Sequence, residues 1–194
     1  MVEIRPLDAA SLARLEELFG TDKSAAGCWC MWFIVPVTAY HAAGGDGNRA
    51  SFREMAAAQD IPMGLIAYLD DGRPTGWCAV GPRSRYARAI RTPTYKGRDP
   101  AEDADVWLLP CLFVRPDQRG AGVSAKLVRA AVDLAARHGA SAVEAFPLSG
   151  ERRYSRDTQV GFEPVFAQCG FAAIATPSPG RVRMRLDLSV SAAP

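Results

Sequence analysis

Apolar positions along the chain switch between a helical and a strand period, and the switches outline the elements. Residues 3–7 read as a short strand. Leu12, Leu15 and Leu18 or Phe19 then recur at helical spacing behind Asp8 or Ser11, either of which can cap a helix through Phe19. Residues 20–47 hold no clean period. An aromatic cluster, Trp29, Trp32, Phe33 and Tyr40, precedes Gly44-Gly45-Asp46-Gly47, which reads as a mobile loop, and Asn48 can cap a helix to about Gln59. From Pro62 the pattern becomes strand-like: 63–69 is a strand, Asp70-Asp71-Gly72-Arg73 a hairpin turn and 74–80 a second strand.

Residues 81–103 form a long polar connection carrying Arg83, Arg85, Arg88 and Arg91. Such a run reads as a solvated basic loop, with an anion-binding role as the alternative. Residues 105–114 form an apolar strand interrupted by Pro110, which predicts a bulge or a break in the ladder. After the turn at 115–122, Val123, Leu127, Val128, Ala131, Leu134 and Ala135 recur at helical spacing up to His138, and Gly139 is placed to end the helix in the left-handed conformation. Residues 141–146 are a strand, 147–157 a loop, and 163–169 a short helix closed by Gly170. A hairpin follows from 171–175 and 181–188, where Val182, Met184, Leu186 and Leu188 alternate with Arg181, Arg183, Arg185 and Asp187, one face buried and one wet. Residues 189–194 read as a disordered tail. The order strand, helix, helix, three strands, helix, strand, helix, two strands predicts a mixed α/β sheet.

Length and composition narrow the picture further. A chain of 194 residues, 48% apolar and 23% charged, fits one globular domain, here taken as 1–194. A net charge of +2 gives no basis for a nucleic-acid or membrane partner. No apolar run approaches the roughly 18 residues of a membrane span. The N-terminus lacks the basic-then-apolar order of a signal peptide, which points to a cytoplasmic location. The five cysteines are odd in number and irregularly spaced, against a disulfide framework. Cys28 and Cys30 form a C-x-C pair without further ligands at metal spacing, so no metal is expected and the pair reads as packed among tryptophans.

The chemistry concentrates in Cys111-Leu112-Phe113-Val114-Arg115-Pro116-Asp117-Gln118-Arg119-Gly120-Ala121-Gly122-Val123-Ser124. An apolar strand runs through a glycine-bearing turn straight into a helix. The first helical turn leaves backbone N–H groups unpaired at the positive end of the helix dipole, and glycines let an anion approach them. That combination makes a pyrophosphate site. The spacing matches neither the P-loop G-x-x-x-x-G-K-[ST] nor the dinucleotide fingerprint G-x-G-x-x-G.

The segment Arg119-Gly120-Ala121-Gly122-Val123-Ser124 resembles the acetyl-CoA signature [QR]-x-x-G-x-[GA] of the GNAT superfamily, with Ser124 in place of the last small residue, and Gln168-Cys169-Gly170-Phe171 is similar to that family's glycine-phenylalanine step. The likeness is best over 62–188. It implies a GNAT fold: a mostly antiparallel sheet of about seven strands, splayed between strands four and five, with helices on both faces. Acetyl-CoA would be the co-substrate, its pantetheine paired near Leu112 and Val114 and its pyrophosphate on the N–H groups of Arg119, Gly120, Ala121, Gly122, Val123 and Ser124. A backbone N–H near Phe113 would polarise the thioester. The implied reaction is N-acetylation of a small-molecule amine, with residues 20–61 shaping the acceptor site and a homodimer left open.

The family's tyrosine acid falls on Phe166, which cannot donate a proton; Tyr154, Cys169 or water are the substitutes. Glu144 and Asp105 are the carboxylate candidates for the base, with Glu102 and Glu163 behind them. Trp29, Trp32 and Phe33 read equally as core and as walls of an acceptor pocket. A binding module without catalysis is the alternative to an enzyme.

Overall fold

The structure, a computed structural model, describes residues 2–150 and 158–188. Seven strands make one sheet in the order β1-β2-β3-β4-β5-β7-β6. They are β1 (Val2–Pro6), β2 (Gly64–Leu69), β3 (Pro74–Pro82), β4 (Val106–Val114), β5 (Ala142–Ala145), β6 (Ala172–Ser178) and β7 (Arg181–Asp187). Every neighbouring pair is antiparallel except β4 and β5, which run parallel. The helices are α1 (Leu12–Phe19), α2 (Lys23–Cys28), α3 (Val37–Ala58), α4 (Val123–Arg137) and α5 (Glu163–Ala167). None of the described helices is long and apolar enough to cross a membrane.

The sheet separates two cores. On one face, Leu15, Leu18, Phe19, Ala25 and Phe52 of the first three helices pack on Ile66, Trp77, Leu108 and Phe113. On the other, Val123, Leu127, Val128, Ala131 and Phe166 pack on Leu65, Cys78, Leu109 and Val114. Strand alternation sends successive side chains to opposite faces, and β4 obeys it with one slip. Leu108 faces the first core, yet so do Cys111 and Phe113. The slip coincides with a register shift in the β3–β4 ladder, where Ala79 faces Cys111 and Gly81 faces Leu108. One residue on β3 therefore opposes two on β4, Leu109 and Pro110, which is the bulge expected from a proline that cannot donate to the ladder.

Two segments differ from the sequence reading. The glycines at 44–47 lie within α3, which is kinked at Gly44 (φ 61°, ψ −172°). Asn48 does not cap a separate helix: it is buried, and its side-chain amide donates to the carbonyls of Gly27 at 3.0 Å and Tyr40 at 3.4 Å. The first bond ties the helix to α2 and the second closes across the kink within α3, and together they offset the glycines' poor helix propensity. The connection at 81–103 is not a solvated loop either. It is a chain of 3-10 turns in which Arg83 is 1% exposed, Arg85 donates to the carbonyls of Pro62, Val80 and Ile61, and Arg88 lies 3.6 Å over the ring of Trp32.

Candidate functional site

The β4–β5 ladder runs from Val106↔Ala142 to Leu109↔Ala145 and stops there. Beyond the bulge, β4 continues alone on that side. The N–H of Arg115 donates to the carbonyl of Thr75 at 3.0 Å. By alternation, the backbone polar groups of Phe113 also belong to the β3 ladder, while those of Leu112 and Val114 turn to the open side. The structure thus brings Leu112 and Val114 to the edge of the gap. Phe113 arrives differently: its N–H faces Trp77 in the ladder, and its ring is what reaches the site.

The chain then turns at 115–122. Gly120 and Gly122 adopt φ of +83° and +76°, and Gly122 is the N-cap of α4. An added Cβ at either would meet no protein atom within 4 Å. The requirement for glycine is therefore conformational, worth about 1–2 kcal/mol at each position. Among the described residues, no protein group accepts from the N–H of Gly120, Ala121, Gly122, Val123, Ser124 or Ala125. The first donor in this stretch that finds a partner is Lys126, bonded to the carbonyl of Gly122 at 3.3 Å. Six consecutive main-chain donors at a helix N-terminus form a receptor for a multiply charged anion.

These donors border a groove of about 470 Å³ that runs from the glycine turn along Leu112 and Val114 to Gln159, Gly161 and Phe162. A second cavity of about 490 Å³ adjoins it, walled by Phe19, Trp29, Trp32, Phe33, Tyr40 and Phe146. Phe113 and Gln159 line both, so the two spaces meet between that ring and that side-chain amide. Gln159 Nε2 donates to Ser24 Oγ at 2.9 Å, fastening the segment before α5 to the first turn of α2. Ser24 is held in turn: Asp22 caps α2 by accepting from the N–H groups of Ser24 and Ala25, and its bond to the Ser24 hydroxyl is the main influence lowering the Asp22 carboxyl below its usual range. No motif marks Gln159 in the sequence. Its role is a product of tertiary contact between segments 135 residues apart.

The wall of the second cavity includes two consecutive non-glycine residues in the left-handed region, Trp29 (φ 49°) and Cys30 (φ 58°). Strained backbone of this kind persists only where packing enforces it. Here the Trp29 ring meets Phe19 at 5.0 Å and Phe52 at 5.7 Å, and Trp77 Nε1 donates to Cys30 Sγ at 3.3 Å. Cys28, Cys30 and Cys111 all reach this cavity. Burial, then the neighbouring Cys30, pushes the Cys28 thiol up to about 11, and burial raises the Tyr40 hydroxyl to about 12. Both stay protonated at neutral pH. Trp29 is at once core and wall, whereas Trp32 is half-buried.

Of the leading acid–base candidates, the two that are described, Asp105 and Glu144, are not gathered here. Asp105 is exposed in the turn before β4, at the end of the strand opposite the glycine turn, and its carbonyl accepts from the Ser141 N–H at 2.9 Å. Tyr154 lies outside the described residues. Glu144 is 2% exposed and lines neither cavity. Its Oε1 accepts from Arg83 at 3.2 Å and Arg185 at 3.4 Å. Arg83 also donates to Asp103 at 2.6 Å, and Arg185 to Glu102 at 3.1 Å. Burial works against ionisation of Asp103, but bonds from Arg98 and Arg83 outweigh it and lower its carboxyl. Glu144, on β5, thus sits inside an ion cluster, two residues before the cavity-lining Phe146. Phe166, where the family's acid would fall, is fully buried against Phe171 at 5.4 Å. Among the described residues, no carboxylate or imidazole lines either cavity.

The model of a family described as "Acetyltransferase (GNAT) family" matches residues 29–156. No curated protein sequence matches the chain. Among solved structures, the chain is similar to yncA, a putative acetyltransferase from Salmonella typhimurium with its cofactor acetyl-CoA, at 19% identity and TM-score 0.57, covering 100% of this chain and 97% of that one. It is similar to the paia N-acetyltransferase from Thermoplasma acidophilum in complex with coenzyme A, at 16% identity and TM-score 0.56, covering 97% and 99%. It is also similar to a putative phosphinothricin N-acetyltransferase at 17% identity and TM-score 0.54, covering 97% and 99%. At these identities the likeness establishes the fold: a mixed sheet splayed between its fourth and fifth strands, with helices on both faces.

Proposed function

The chain belongs to the GNAT acetyltransferase family, and from that premise we propose that it transfers the acetyl group of acetyl-CoA to the amine of a small molecule, acting as one domain in the cytoplasm. The observation that carries this reading is the run of six N–H groups from Gly120 to Ala125 that find no acceptor among the described residues, at the head of a groove that opens into a second, acceptor-sized cavity. The residues fit the cofactor. A pyrophosphate needs convergent donors with small residues around them, and Gly120, Ala121, Gly122, Val123 and Ser124 offer both. A pantetheine arm needs an extended strand edge, which Leu112 and Val114 offer.

When bound, acetyl-CoA supplies an activated acyl group whose C–S bond breaks as the amine nitrogen bonds the acyl carbon. The chain's own residues do the rest. The N–H row would hold the diphosphate end and the strand edge would align the arm, directing it toward the point where Phe113 and Gln159 line both cavities. The Phe113 ring excludes water there. The Gln159 amide, steadied by Ser24, offers a donor and an acceptor at the same point. With Phe113 N–H held in the β3 ladder, the outward N–H of Leu112 is the backbone donor available to the acyl oxygen.

The proton balance is simple: the amine loses one proton and the departing thiolate gains one. Cys28 and Tyr40 are protonated at neutral pH and cannot serve as bases. Because no carboxylate or imidazole among the described residues lines either cavity, we take the acceptor to react from its free-base fraction or to lose its proton to water. Tyr154 is the candidate acid for the thiolate, and Glu144 is assigned to holding Arg83 rather than to proton transfer. A cavity contiguous with the cofactor groove is a feature that a cofactor sensor has no use for, which favours an enzyme. Titration calorimetry with coenzyme A, followed by thiol release from acetyl-CoA across a panel of amines, tests the reading. Binding with turnover supports it; absence of coenzyme A binding removes it.

A further inference from the structure

We infer that Arg88 is a positioning residue of the second cavity: its latch on Trp32 holds the outer wall, the Trp32 ring with residues 34–43, and release of that latch opens the cavity to solvent. The inference rests on the proposed transfer only in taking this cavity for the acceptor's. Arg88 is not among the residues that line the cavity, whereas Trp32 and Tyr40 are. It acts through Trp32. Its guanidinium lies 3.6 Å over the Trp32 ring, and its Nη1 donates to the Trp32 carbonyl at 2.6 Å. One side chain thus holds both the ring and the main chain of the same wall residue. Trp32 in turn meets Tyr40 edge to face at 5.2 Å. Burial is the largest influence on the guanidinium and lowers its pKa; a cation partly withdrawn from water makes stronger ring and carbonyl contacts. The latch has a rigid base. Arg85, in the same connection, donates to the carbonyls of Pro62, Val80 and Ile61, and Arg83 is bonded to Asp103 and Glu144.

The wall itself is thinly held. Its inner end is anchored, since Met31 and Phe33 are buried, but 36–39 and 41–43 are exposed. Its outer end bends at Gly44, whose φ of 61° and ψ of −172° interrupt α3 in a region that belongs almost only to glycine. It departs from strained backbone as well: Trp29 (φ 49°, ψ 29°) and Cys30 (φ 58°, ψ 0°) are consecutive left-handed residues. The position of the wall is therefore imposed by its ties and not by local preference. Two other ties are long. The Asn48 amide reaches the Tyr40 carbonyl at 3.4 Å, and the Tyr40 hydroxyl reaches the Gly27 carbonyl at 3.5 Å. A segment with few buried side chains and long hydrogen bonds opens more readily than the core. The short, charge-assisted bond from Arg88 is then the tie that sets how often it opens. Beneath the wall, Tyr40 is also hydrogen-bonded to the thiol of Cys28, which lines the cavity.

The test uses the full chain with Arg88→Met, which keeps an apolar stem but neither charge nor donor, and Arg88→Lys, which keeps the charge without the planar face. Hydrogen exchange reads the amides of Ile34, Val35 and Tyr40, which donate to the carbonyls of Met31 and Pro36, against those of β4 and α4. Alkylation of Cys28 by N-ethylmaleimide, followed by peptide mass spectrometry, reads access to the cavity. Calorimetry with coenzyme A shows that the variants are folded. We expect Arg88→Met to speed exchange at the three amides and alkylation of Cys28 at least about tenfold, the worth of a hydrogen bond from a charged group. Exchange in β4 and α4 and coenzyme A affinity should not change, and Arg88→Lys should recover part of the protection. With the amine of the panel that gives the fastest thiol release, Arg88→Met should raise KM several-fold and leave kcat within about twofold. Exchange and alkylation that stay as in the wild type, a rise shared equally by β4 and α4, or a loosened wall with KM unchanged overturns the inference. Should Arg88→Met not bind coenzyme A, Arg88→Lys and the wild-type chain decide: wall amides in the wild type as well protected as those of β4 overturn it too. Thiol release with no amine removes the proposed transfer, while exchange and alkylation still decide the latch.

Discussion

Replacing Glu144 by Gln separates two roles that one carboxylate on β5 can play. In the wild-type chain, Glu144 Oε1 accepts from Arg83 and Arg185, and Oε2 has no hydrogen-bond partner among the described residues. Arg83 is 1% exposed and Glu144 2%. Removing one partner of a buried pair outright costs about 3–5 kcal/mol, because a charge is left uncompensated. The glutamine oxygen keeps the hydrogen bonds, and Arg83 keeps Asp103 at 2.6 Å. The loss should therefore be smaller, about 1–3 kcal/mol. For a chain of this size that is a fall of about 2–10 °C in thermal midpoint. Turnover per folded molecule, measured by thiol release well below the midpoint, should stay within about threefold of wild type, since the side chain lines neither cavity. An unchanged midpoint with turnover lowered a hundredfold or more would refute the reasoning and make Glu144 the base.

Three further outcomes follow from the same geometry. Ser124→Ala keeps the main-chain N–H and should leave coenzyme A affinity within about twofold, whereas Ser124→Pro, in the helical turn where proline is tolerated, deletes that donor and should weaken binding about tenfold, the worth of one hydrogen bond to a charged group; calorimetry compares them. Gln159→Ala should lower kcat/KM about threefold to tenfold while the coenzyme A titration barely changes, because the amide stands where the two cavities meet. Asp103 has a carboxyl held below its usual range, so its stabilisation is fully present above the unfolded value near 4 and is lost as pH falls through the lower folded value. Asp103→Asn should therefore lower the midpoint at neutral pH and flatten the acid-side loss, read by thermal melts from pH 7 down to about 3.

The part of the site nearest the cofactor was legible because its signals are local. Pro110 announces the bulge, and the glycines at 120 and 122 with the apolar repeat from Val123 announce a turn that opens into a helix. The rest depends on contacts between distant segments. Asn48 holds α3 together through carbonyls at 27 and 40, which no local propensity encodes. Arg83 looked like one of four arginines in a polar connection; the carboxylates that bury it stand at 102, 103 and 144. Glu144 is legible as a carboxylate on the strand at 141–146, but the arginines it pairs with, 83 and 185, are brought to it only by the fold. Gln159 carries no pattern at all. The tryptophans at 29 and 32 were open between core and pocket, and the fold uses the first for both and the second mainly as wall.

The row of free main-chain donors is what the account depends on, and amide NMR observes it atom by atom. In a ¹⁵N-labelled sample titrated with coenzyme A, the N–H resonances of Gly120, Gly122, Val123 and Ser124 should move downfield together and exchange more slowly with solvent as phosphate oxygens accept from them. Saturating coenzyme A that leaves these amides unmoved, while resonances elsewhere respond, would contradict the account.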